Sequence, residues 1–337
     1  MAMPVTPKHD VAVVGAGSWG TALAIHLARK GLDVGLWGRD PAQVEAMAAE
    51  GRNARYLPDC PFPPGLHPGA DLEALVGRAR RVLLAVPSGG FRETLARIAP
   101  ALGPGGLVWA TKGLDEASTR WLHELAQEIL PATVPWGVAS GPSFAGEVAR
   151  GLPTALTLAS PDADFAQAAR DWLAGGTLRV YTSDDVVGVQ LGGAFKNVLA
   201  IAAGVSDGLG FGANARAALI TRGLAELMRL GEAAGARSET LMGLSGVGDL
   251  VLTCTDDQSR NRRLGLALGR GESREAAMAA IGQAVEGART ARMAVAKADQ
   301  LGVDMPICQR VYRVLYEDLP PTRAVEELLS RDPKPEF

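Results

Sequence analysis

The sequence predicts two domains: an N-terminal α/β domain built on a doubly wound parallel sheet, and a C-terminal domain made only of helices. The 337-residue chain exceeds the length at which a single hydrophobic core usually stops growing. Short apolar runs alternate with amphipathic stretches in its first half, whereas long Ala-, Leu- and Gly-rich runs with helical spacing follow after about Asp184. The predicted domains cover residues 8–184 and 185–330, and residues 331–337 form a tail.

The first half begins in the order strand, helix, strand, helix. Near-continuous apolar strands of this kind are typical of a parallel sheet that helices cover on both faces. The polar run from Thr182 to Asp185 is predicted to cap the first helix of the second domain. Strands are predicted at residues 11–14, 34–37, 81–86, 107–110, 136–140 and 154–159, and the first two helices at 21–30 and 41–50.

The second domain opens with a stretch, residues 186–206, that carries a single charged side chain, Lys196. It is long enough to span a bilayer. Its glycines, Gln190 and Asn197 make it poorly lipophilic, and a lysine at the midplane costs at least about 2.5 kcal/mol. The sequence therefore predicts a buried helix and no membrane span.

Composition excludes several classes of protein. Hydrophobic residues make up 47% of the chain and charged residues 21%, which indicates a folded protein, and a net charge of −3 without an extended basic patch excludes a nucleic-acid partner. The odd, widely spaced Cys60, Cys254 and Cys308 predict neither a disulfide framework nor a metal site. Residues 1–10 lack the apolar core of a signal peptide. These observations predict a cytoplasmic location.

A glycine-rich motif, GAGSWG from Gly15 to Gly20, lies between the first predicted strand and the first predicted helix. In this G-x-G-x-x-G pattern the first glycine permits a tight turn, the second admits the pyrophosphate of a dinucleotide, and the third allows helix and strand to pack closely. The diphosphate is then held at the helix N-terminus. The motif and its position predict a Rossmann-type dinucleotide site.

The end of the second strand bears on the choice between NAD and NADP. Arg39 there could pair with a 2′-phosphate, whereas Asp40 could bond the ribose 2′-hydroxyl if the strand ended one or two residues later. A solvated loop charge is the third interpretation of Arg39. We expect use of both cofactors with NADPH preferred.

Lys196 is the strongest candidate for a catalytic group. It is the only charged side chain between Asp185 and Asp207 and lies among apolar residues of the predicted helix. Lysine is rarely buried unless it is paired or functional. A neutral amine there could accept the proton of a substrate hydroxyl. The alternative is a lysine that reaches from the helix to solvent.

Two further segments follow predicted strands at the carboxyl edge of the sheet, where α/β folds bind ligands. Lys112 comes after the strand at 107–110 and could fix an anionic substrate, although a surface lysine is the alternative. Gly141 and Ser143 follow the strand at 136–140, where glycine allows close approach to a ligand and serine supplies a hydroxyl. Taken alone, this second segment is an ordinary turn.

A compact cluster in the second domain has the size of a phosphate receptor. Asp249 ends a glycine-rich step, and Ser259, Arg260 and Asn261 follow with guanidinium, amide and hydroxyl donors. The sequence favours a solvated helix face for the next two residues, Arg262 and Arg263.

Together these segments resemble the bacterial NAD(P)-dependent glycerol-3-phosphate dehydrogenase family, and the resemblance spans most of the chain. Two departures are Ser143 in place of a common Thr and Ala284 in place of a frequent Val; Ser143 keeps the hydroxyl and Ala284 would contribute mainly backbone. The runs that carry the resemblance are GAGSWGTALA from Gly15, ATKGL from Ala110, SGPSFAGEVARGLPTA from Ser140, LGGAFKNVLAIAAGVSDGLGFGANARAALITRGLAE from Leu191 and GVGDLVLTCTDDQSRNRR from Gly246.

The resemblance implies reversible hydride transfer between C2 of sn-glycerol 3-phosphate and NAD(P), giving dihydroxyacetone phosphate, and a supply of glycerol 3-phosphate for phospholipid synthesis. It implies that Lys196 is the proton acceptor and that no metal takes part. Substrate contacts would come from Lys112, Gly141, Ser143, Lys196, Asp249, Ser259, Arg260 and Asn261. Cofactor contacts would come from Gly15, Gly17, Ser18, Trp19, Gly20, Arg39, Lys112, Ala145, Arg260, Ala284 and Glu286.

Two other functions are compatible with a dinucleotide-binding half. A ketopantoate-type or hydroxyacid reductase would share that half but need a carboxylate receptor in place of the cluster at 259–261. A sensor of the NAD(P)H redox state would not need a buried Lys196. A homodimer is an arrangement that an Ala- and Leu-rich helical domain can support, although the sequence does not locate an interface.

Overall fold

The computed structural model of the protein describes residues 9–332. These residues divide into a sheet unit, residues 9–115 with 120–190, and a helical unit, residues 116–119 with 191–332. Residue 8 of the predicted first domain, residues 333–337 of the predicted tail and most of the segment examined for a signal peptide lie outside the described residues.

The sheet unit is built on one eight-stranded sheet. The strands are β1 (His9–Val14), β2 (Val34–Trp37), β3 (Leu66–Gly69), β4 (Ala79–Leu84), β5 (Leu107–Trp109), β6 (Trp136–Ser140), β7 (Thr154–Ala159) and β8 (Leu178–Ser183). Their order is β3-β2-β1-β4-β5-β6-β7-β8, and every neighbouring pair is parallel except β6 with β7. The chain therefore reverses its direction of strand addition at β1.

Helices cover both faces of the sheet. Alternate residues of β1 enter two separate cores, Val11 and Val13 in one, Ala12 and Val14 in the other, which is why the strand is apolar throughout. The helices of this unit are α1 (Ser18–Arg29), α2 (Pro41–Glu50), α3 (Leu72–Val76), α4 (Phe91–Ile98), α5 (Leu122–Ile129), α6 (Ala145–Arg150) and α7 (Ala163–Leu173).

The predicted doubly wound architecture is confirmed, with two strands that the sequence did not reveal. β3 is a four-residue edge strand that contains Pro68, which an edge tolerates because one side needs no ladder hydrogen bonds. β8, at the other edge, alternates buried Leu178 and Val180 with exposed Arg179, so it lacks a continuous apolar run. The strand predicted at 81–86 begins and ends two residues earlier.

All regular elements described in the second unit are helical, as predicted. They follow α8 (Val186–Gly208), which carries the chain from one unit to the other, and are α9 (Ala213–Ala233), α10 (Ser238–Leu241), α11 (Asp249–Thr255), α12 (Arg260–Gly269), α13 (Arg274–Ile281), α14 (Glu286–Leu301), α15 (Pro306–Tyr316) and α16 (Pro321–Leu329).

The apolar helix α8 is a core helix of the protein. By length and composition it could cross a membrane, but 94% of its most apolar window is buried. Its start is capped as predicted, because the Asp185 carboxylate accepts a hydrogen bond of 2.8 Å from the Gly188 amide. The three cysteines are free and buried.

Candidate active site

The glycine-rich motif lies at the carboxyl end of β1, where the strand order reverses and open α/β sheets bind their ligands. Gly15 has a φ of +120°, and a Cβ there would overlap the carbonyl oxygen of Ala85. A Cβ on Gly20 would overlap the carbonyl oxygen of Gly15. Packing of the loop against the sheet therefore requires glycine at both positions.

Gly17 differs from these two glycines because open space surrounds it. Within residues 9–332, no atom beyond Gly17 and its two chain neighbours lies within 4 Å of the position that its Cβ would take, and no side chain caps the helix α1 that follows it. The positive end of α1 thus faces a cradle that a phosphate can fill. The indole N–H of Trp19, which is buried, has no hydrogen-bond partner among the described residues. The residues present fit a bound dinucleotide.

The two residues that could distinguish NAD from NADP, Arg39 and Asp40, lie side by side but have different local contacts. β2 ends at Trp37, and both Arg39 and Asp40 are exposed. The Asp40 carboxylate caps α2 by accepting from the Ala42 amide at 3.1 Å. Asp40 therefore has a structural role of its own beside any contact with the cofactor.

Lys112, Gly141 and Ser143 come together at the carboxyl edge of the sheet. The carbonyl oxygen of Gly141 accepts from the Lys112 ammonium at 3.3 Å and from the Ser143 hydroxyl at 2.9 Å. Gly141 has a φ of +146°, which favours glycine. Ala145 begins the helix α6 just beyond this turn. The parallel neighbours β5 and β6 deliver these residues, as the sequence predicted.

Lys196 lies in α8, with 7% of its surface exposed. Its ammonium forms an ion pair with the fully buried Asp249 carboxylate at the start of α11 and donates to the Thr253 hydroxyl at 2.9 Å. Thr253 in turn donates to the Asp249 carbonyl at 2.6 Å. The alternative of a lysine that reaches solvent is therefore wrong, and the buried charge is compensated as lysine burial requires.

Thr253 is a residue of this cluster that the sequence analysis missed. It lies four residues after Asp249, so both side chains project from the same face of α11. That spacing is a signal in the sequence, but it acquires meaning only once α11 is known to pack against Lys196.

A turn of π-helix, Leu244–Gly248, brings Asp249 to Lys196. Wide turns of this kind occur frequently at functional sites. A Cβ on Gly192 would overlap the carbonyl oxygen of Ser245, and a Cβ on Gly246 would overlap that of Leu241. Glycine at 192 lets α8 and the π-turn meet backbone to backbone, and glycine at 246 lets the π-turn pack against the end of α10.

Cys254 adjoins this cluster in sequence without adding charge to it. Burial raises the pKa of its thiol to about 12, against a smaller opposite effect of Lys196. The thiol therefore stays protonated at neutral pH and is a poor nucleophile.

The N-terminal turn of α12 forms the second cluster of the helical unit. Asn261 donates to the Asn197 side chain at 2.9 Å and accepts from the Gly287 amide at 2.9 Å. Arg260 donates to the Gln283 side chain at 3.4 Å. These bonds bring the run that holds Ala284 and Glu286 to Arg260 and Asn261. Asn197 is a member of this cluster that the sequence analysis missed.

The two arginines that follow have different environments. Arg263 is exposed, as the sequence favoured. For Arg262 that prediction is wrong, because only 7% of its surface is exposed and its guanidinium bonds the carboxylates of Asp207 and Asp257. Carboxylates on either side of Arg262 make burial of the charge tolerable.

A cavity of about 1500 Å³ lies elsewhere in the helical unit, among α8, α9, α15 and α16. Its lining is largely aliphatic and includes Ile201, Val205 and Val311. None of the predicted substrate or cofactor residues lines it. Its position therefore does not coincide with either cluster of candidate residues.

Comparison with known proteins finds relatives that match nearly the whole chain. Two family models match the chain: "NAD-dependent glycerol-3-phosphate dehydrogenase N-terminus" at residues 10–166 and "NAD-dependent glycerol-3-phosphate dehydrogenase C-terminus" at residues 185–326. The chain is 69% identical over 328 residues to a glycerol-3-phosphate dehydrogenase [NAD(P)+] from Thioalkalivibrio sulfidiphilus, covering 97% of this chain and 98% of that protein.

Solved structures extend the comparison. A crystal structure of glycerol-3-phosphate dehydrogenase from Coxiella burnetii superposes with a TM-score of 0.93 at 51% identity, covering 96% of this chain and 99% of that one. A ketopantoate reductase from Ralstonia eutropha reaches a TM-score of 0.58 at 21% identity, covering 94% and 99%. The second likeness is one of fold alone.

Proposed function

The chain belongs to the NAD-dependent glycerol-3-phosphate dehydrogenase family, and we propose how its residues share the reaction of that family. The protein is an oxidoreductase that interconverts glycerol 3-phosphate and dihydroxyacetone phosphate with NAD or NADP. The sheet unit holds the cofactor, and the helical unit supplies the proton chemistry.

The glycine-rich loop receives the pyrophosphate, because Gly17 leaves the N-terminus of α1 open. Trp19 and Arg39 contact the rest of the dinucleotide from the same edge of the sheet. Bound NAD(P) supplies or accepts the hydride. The remaining cofactor contacts in this assignment are Gly15, Ser18, Gly20, Lys112, Ala145, Arg260, Ala284 and Glu286.

Lys196 moves the proton at the substrate C2 oxygen. In ketone reduction its ammonium donates the proton as the alkoxide forms, and in alcohol oxidation the neutral amine removes the hydroxyl proton. Asp249 and Thr253 hold the amine in place through the bonds described above. The buried pair of Lys196 with Asp249 is the observation that carries this assignment.

Arg260 and Asn261 bind the substrate phosphate at the N-terminal turn of α12, with Ser259 as the cap of that helix. Lys112 contributes a second positive charge, and the turn at Gly141 and Ser143 offers a backbone carbonyl acceptor and a hydroxyl. An unphosphorylated ketone would lose the charge-assisted contacts to the phosphate and keep the contact of its C2 oxygen with Lys196.

The cellular setting follows from the same assignment. We propose that the enzyme works in the cytoplasm, supplies glycerol 3-phosphate for phospholipid synthesis and forms a homodimer.

The test is oxidation of NADPH and of NADH, followed by nicotinamide absorbance, with dihydroxyacetone phosphate and with dihydroxyacetone as paired substrates. We expect oxidation that depends on the phosphate. Folded protein that binds nucleotide but oxidises it with neither ketone would refute the proposal and favour a sensor of NAD(P)H.

A further inference from the structure

Helices α8 and α12 share an unusually close contact made by four glycines. Each helix carries the pattern Gly-x-x-x-Gly, Gly204 with Gly208 in α8 and Gly265 with Gly269 in α12. A Cβ on any of the four would overlap backbone of the other helix. Small residues at this spacing let helix backbones approach each other directly. We call this contact the α8–α12 seam.

The seam has a defined direction. Gly204 meets Gly265, and Gly208 meets Gly269, so positions rise together along both chains. At the leading end of the seam, Asn261 bonds Asn197, the neighbour of Lys196. The two helices therefore run parallel, and the start of α12 brings the proposed phosphate receptor beside the middle of α8, which carries the proposed proton carrier.

Arg262 ties this end of α12 to α8 by charge. Its guanidinium forms an ion pair with Asp207 of α8 and donates to Asp257, in the loop before α12, at 2.9 Å. Its amide donates to the Ser259 cap at 3.2 Å. Asp207 also accepts from Arg216 of α9 at 2.8 Å, which anchors the pair to a third helix.

We propose that Arg262 is a positioning residue for phosphate recognition: it does not contact the substrate, but fixes Arg260 and Asn261 relative to Lys196. This inference rests on the proposed function, in which the substrate phosphate and C2 oxygen engage those residues at the same time. A rigid spacing between the two clusters selects a ketone whose phosphate lies at one set distance from the reacting carbon. A displacement of about 1 Å in such an arrangement can cost up to a hundredfold in rate.

The experiment compares Arg262→Met with Arg263→Met, which removes the same charge from the exposed neighbouring position. For each variant, kcat and KM are measured with dihydroxyacetone phosphate, kcat/KM with dihydroxyacetone, and KM with NADPH. For Arg262→Met we expect KM for the phosphorylated ketone to rise about tenfold or more. The kcat/KM for dihydroxyacetone should stay unchanged, and Arg263→Met should match the wild type. Because Arg260 is also a proposed cofactor contact, the KM for NADPH should rise, but less than the KM for the phosphorylated ketone.

Two milder variants guard against loss of folding. Arg262→Lys keeps the charge but cannot engage Asp207 and Asp257 as a fork, so its KM should be intermediate. Asp257→Asn weakens only the outer bond, at a carboxylate that is 70% exposed, and should raise KM a few fold.

A lower melting temperature in Arg262→Met with an unchanged KM for dihydroxyacetone phosphate would overturn the inference, since the role would then be structural. Equal losses with both ketones would also overturn it. Arg260→Met separates the two proposals. If it leaves the preference for the phosphorylated ketone intact, the proposed phosphate receptor is refuted. If Arg260→Met raises the KM for dihydroxyacetone phosphate and Arg262→Met does not, only the positioning role of Arg262 is refuted.

Discussion

The glycine-rich loop of the sheet unit and the α8–α12 seam of the helical unit both depend on glycine, but for opposite reasons. In the loop, Gly17 leaves space that a ligand can fill, and in the proposed site the backbone amides of α1 do the binding. In the seam, glycines remove space so that helices touch, and neighbouring side chains carry the proposed chemistry. The first site occupies six consecutive residues, whereas the second joins residues 53 and 64 positions apart.

If chemistry resides in the side chains of the helical unit, removal of the proton carrier should have the largest effect. Lys196→Met should lower kcat by about 10² or more, while the binding constant for NADPH changes little because the glycine-rich loop is untouched. The substitution leaves Asp249 buried without its cation, which destabilises the fold. The double variant with Asp249→Asn should regain melting temperature but not activity. Turnover near that of the wild type would remove Lys196 from the proposed role.

A buried carboxylate makes the helical unit sensitive to pH. Glu226, 1% exposed, accepts from the amides of Ile307 and Cys308, at 2.6 Å and 3.3 Å. Burial raises its pKa to about 7, against smaller opposite effects of these hydrogen bonds and of Arg229. The folded chain therefore binds more protons than the unfolded chain between pH 4.5 and about 7.

The contribution of Glu226 to the free energy of unfolding should consequently be largest below pH 4.5 and fall as the pH rises to about 7. The expected loss is about 3 kcal/mol at ~1.4 kcal/mol per pH unit. Glu226→Gln should remove this part of the slope. The measurement is urea unfolding by circular dichroism at several pH values. Because all six tryptophans lie in the sheet unit, fluorescence would report that unit separately. An identical pH dependence of the free energy of unfolding in the wild type and in Glu226→Gln would contradict this role of Glu226.

The difference between the contiguous glycine-rich loop and the α8–α12 seam also explains which features the sequence could predict. The strands of the sheet core are near-continuous apolar runs, and the cofactor loop is one contiguous motif, so both follow from local pattern. β3 and β8 were missed because an edge strand needs no such run. Lys196 stood out as an isolated charge in an apolar helix.

The partners of Lys196 and the environment of Arg262 were harder to predict from the residues alone. Thr253, Asn197 and Asp207 acquire their roles through helix packing, which places residues from distant parts of the chain side by side. The repeated Gly-x-x-x-Gly spacing in α8 and α12 was the available signal of that packing. Without it, Arg262 and exposed Arg263 are indistinguishable.

The backbone character of the loop site predicts a clean separation of binding from stability. Gly17 has extended backbone, φ −79° and ψ −178°, that any residue adopts, and its Cβ would meet open space. Gly17→Val should therefore leave the melting temperature unchanged. Its side chain should clash with the pyrophosphate at a cost of about 1–3 kcal/mol of binding free energy, which lowers the affinity for NADPH roughly tenfold to hundredfold. Gly20→Ala, which must displace the Gly15 carbonyl, should destabilise the fold as well. A stable Gly17→Val protein with normal NADPH affinity would refute the cradle.

Arg39 should have the smallest effect, because it acts at the exposed rim of the same site. Arg39→Ser should lower the ratio of kcat/KM for NADPH to that for NADH about tenfold, through loss of a pair with the 2′-phosphate. Added salt should lower the wild-type ratio in the same direction, since exposed charges are screened. Asp40→Asn is the matched control: it weakens the cap of α2 and should lower stability by up to about 1 kcal/mol without changing the ratio. If Asp40→Asn shifts the ratio and Arg39→Ser does not, the Asp40 carboxylate binds the ribose hydroxyl. Asp40 would then both cap α2 and select the cofactor.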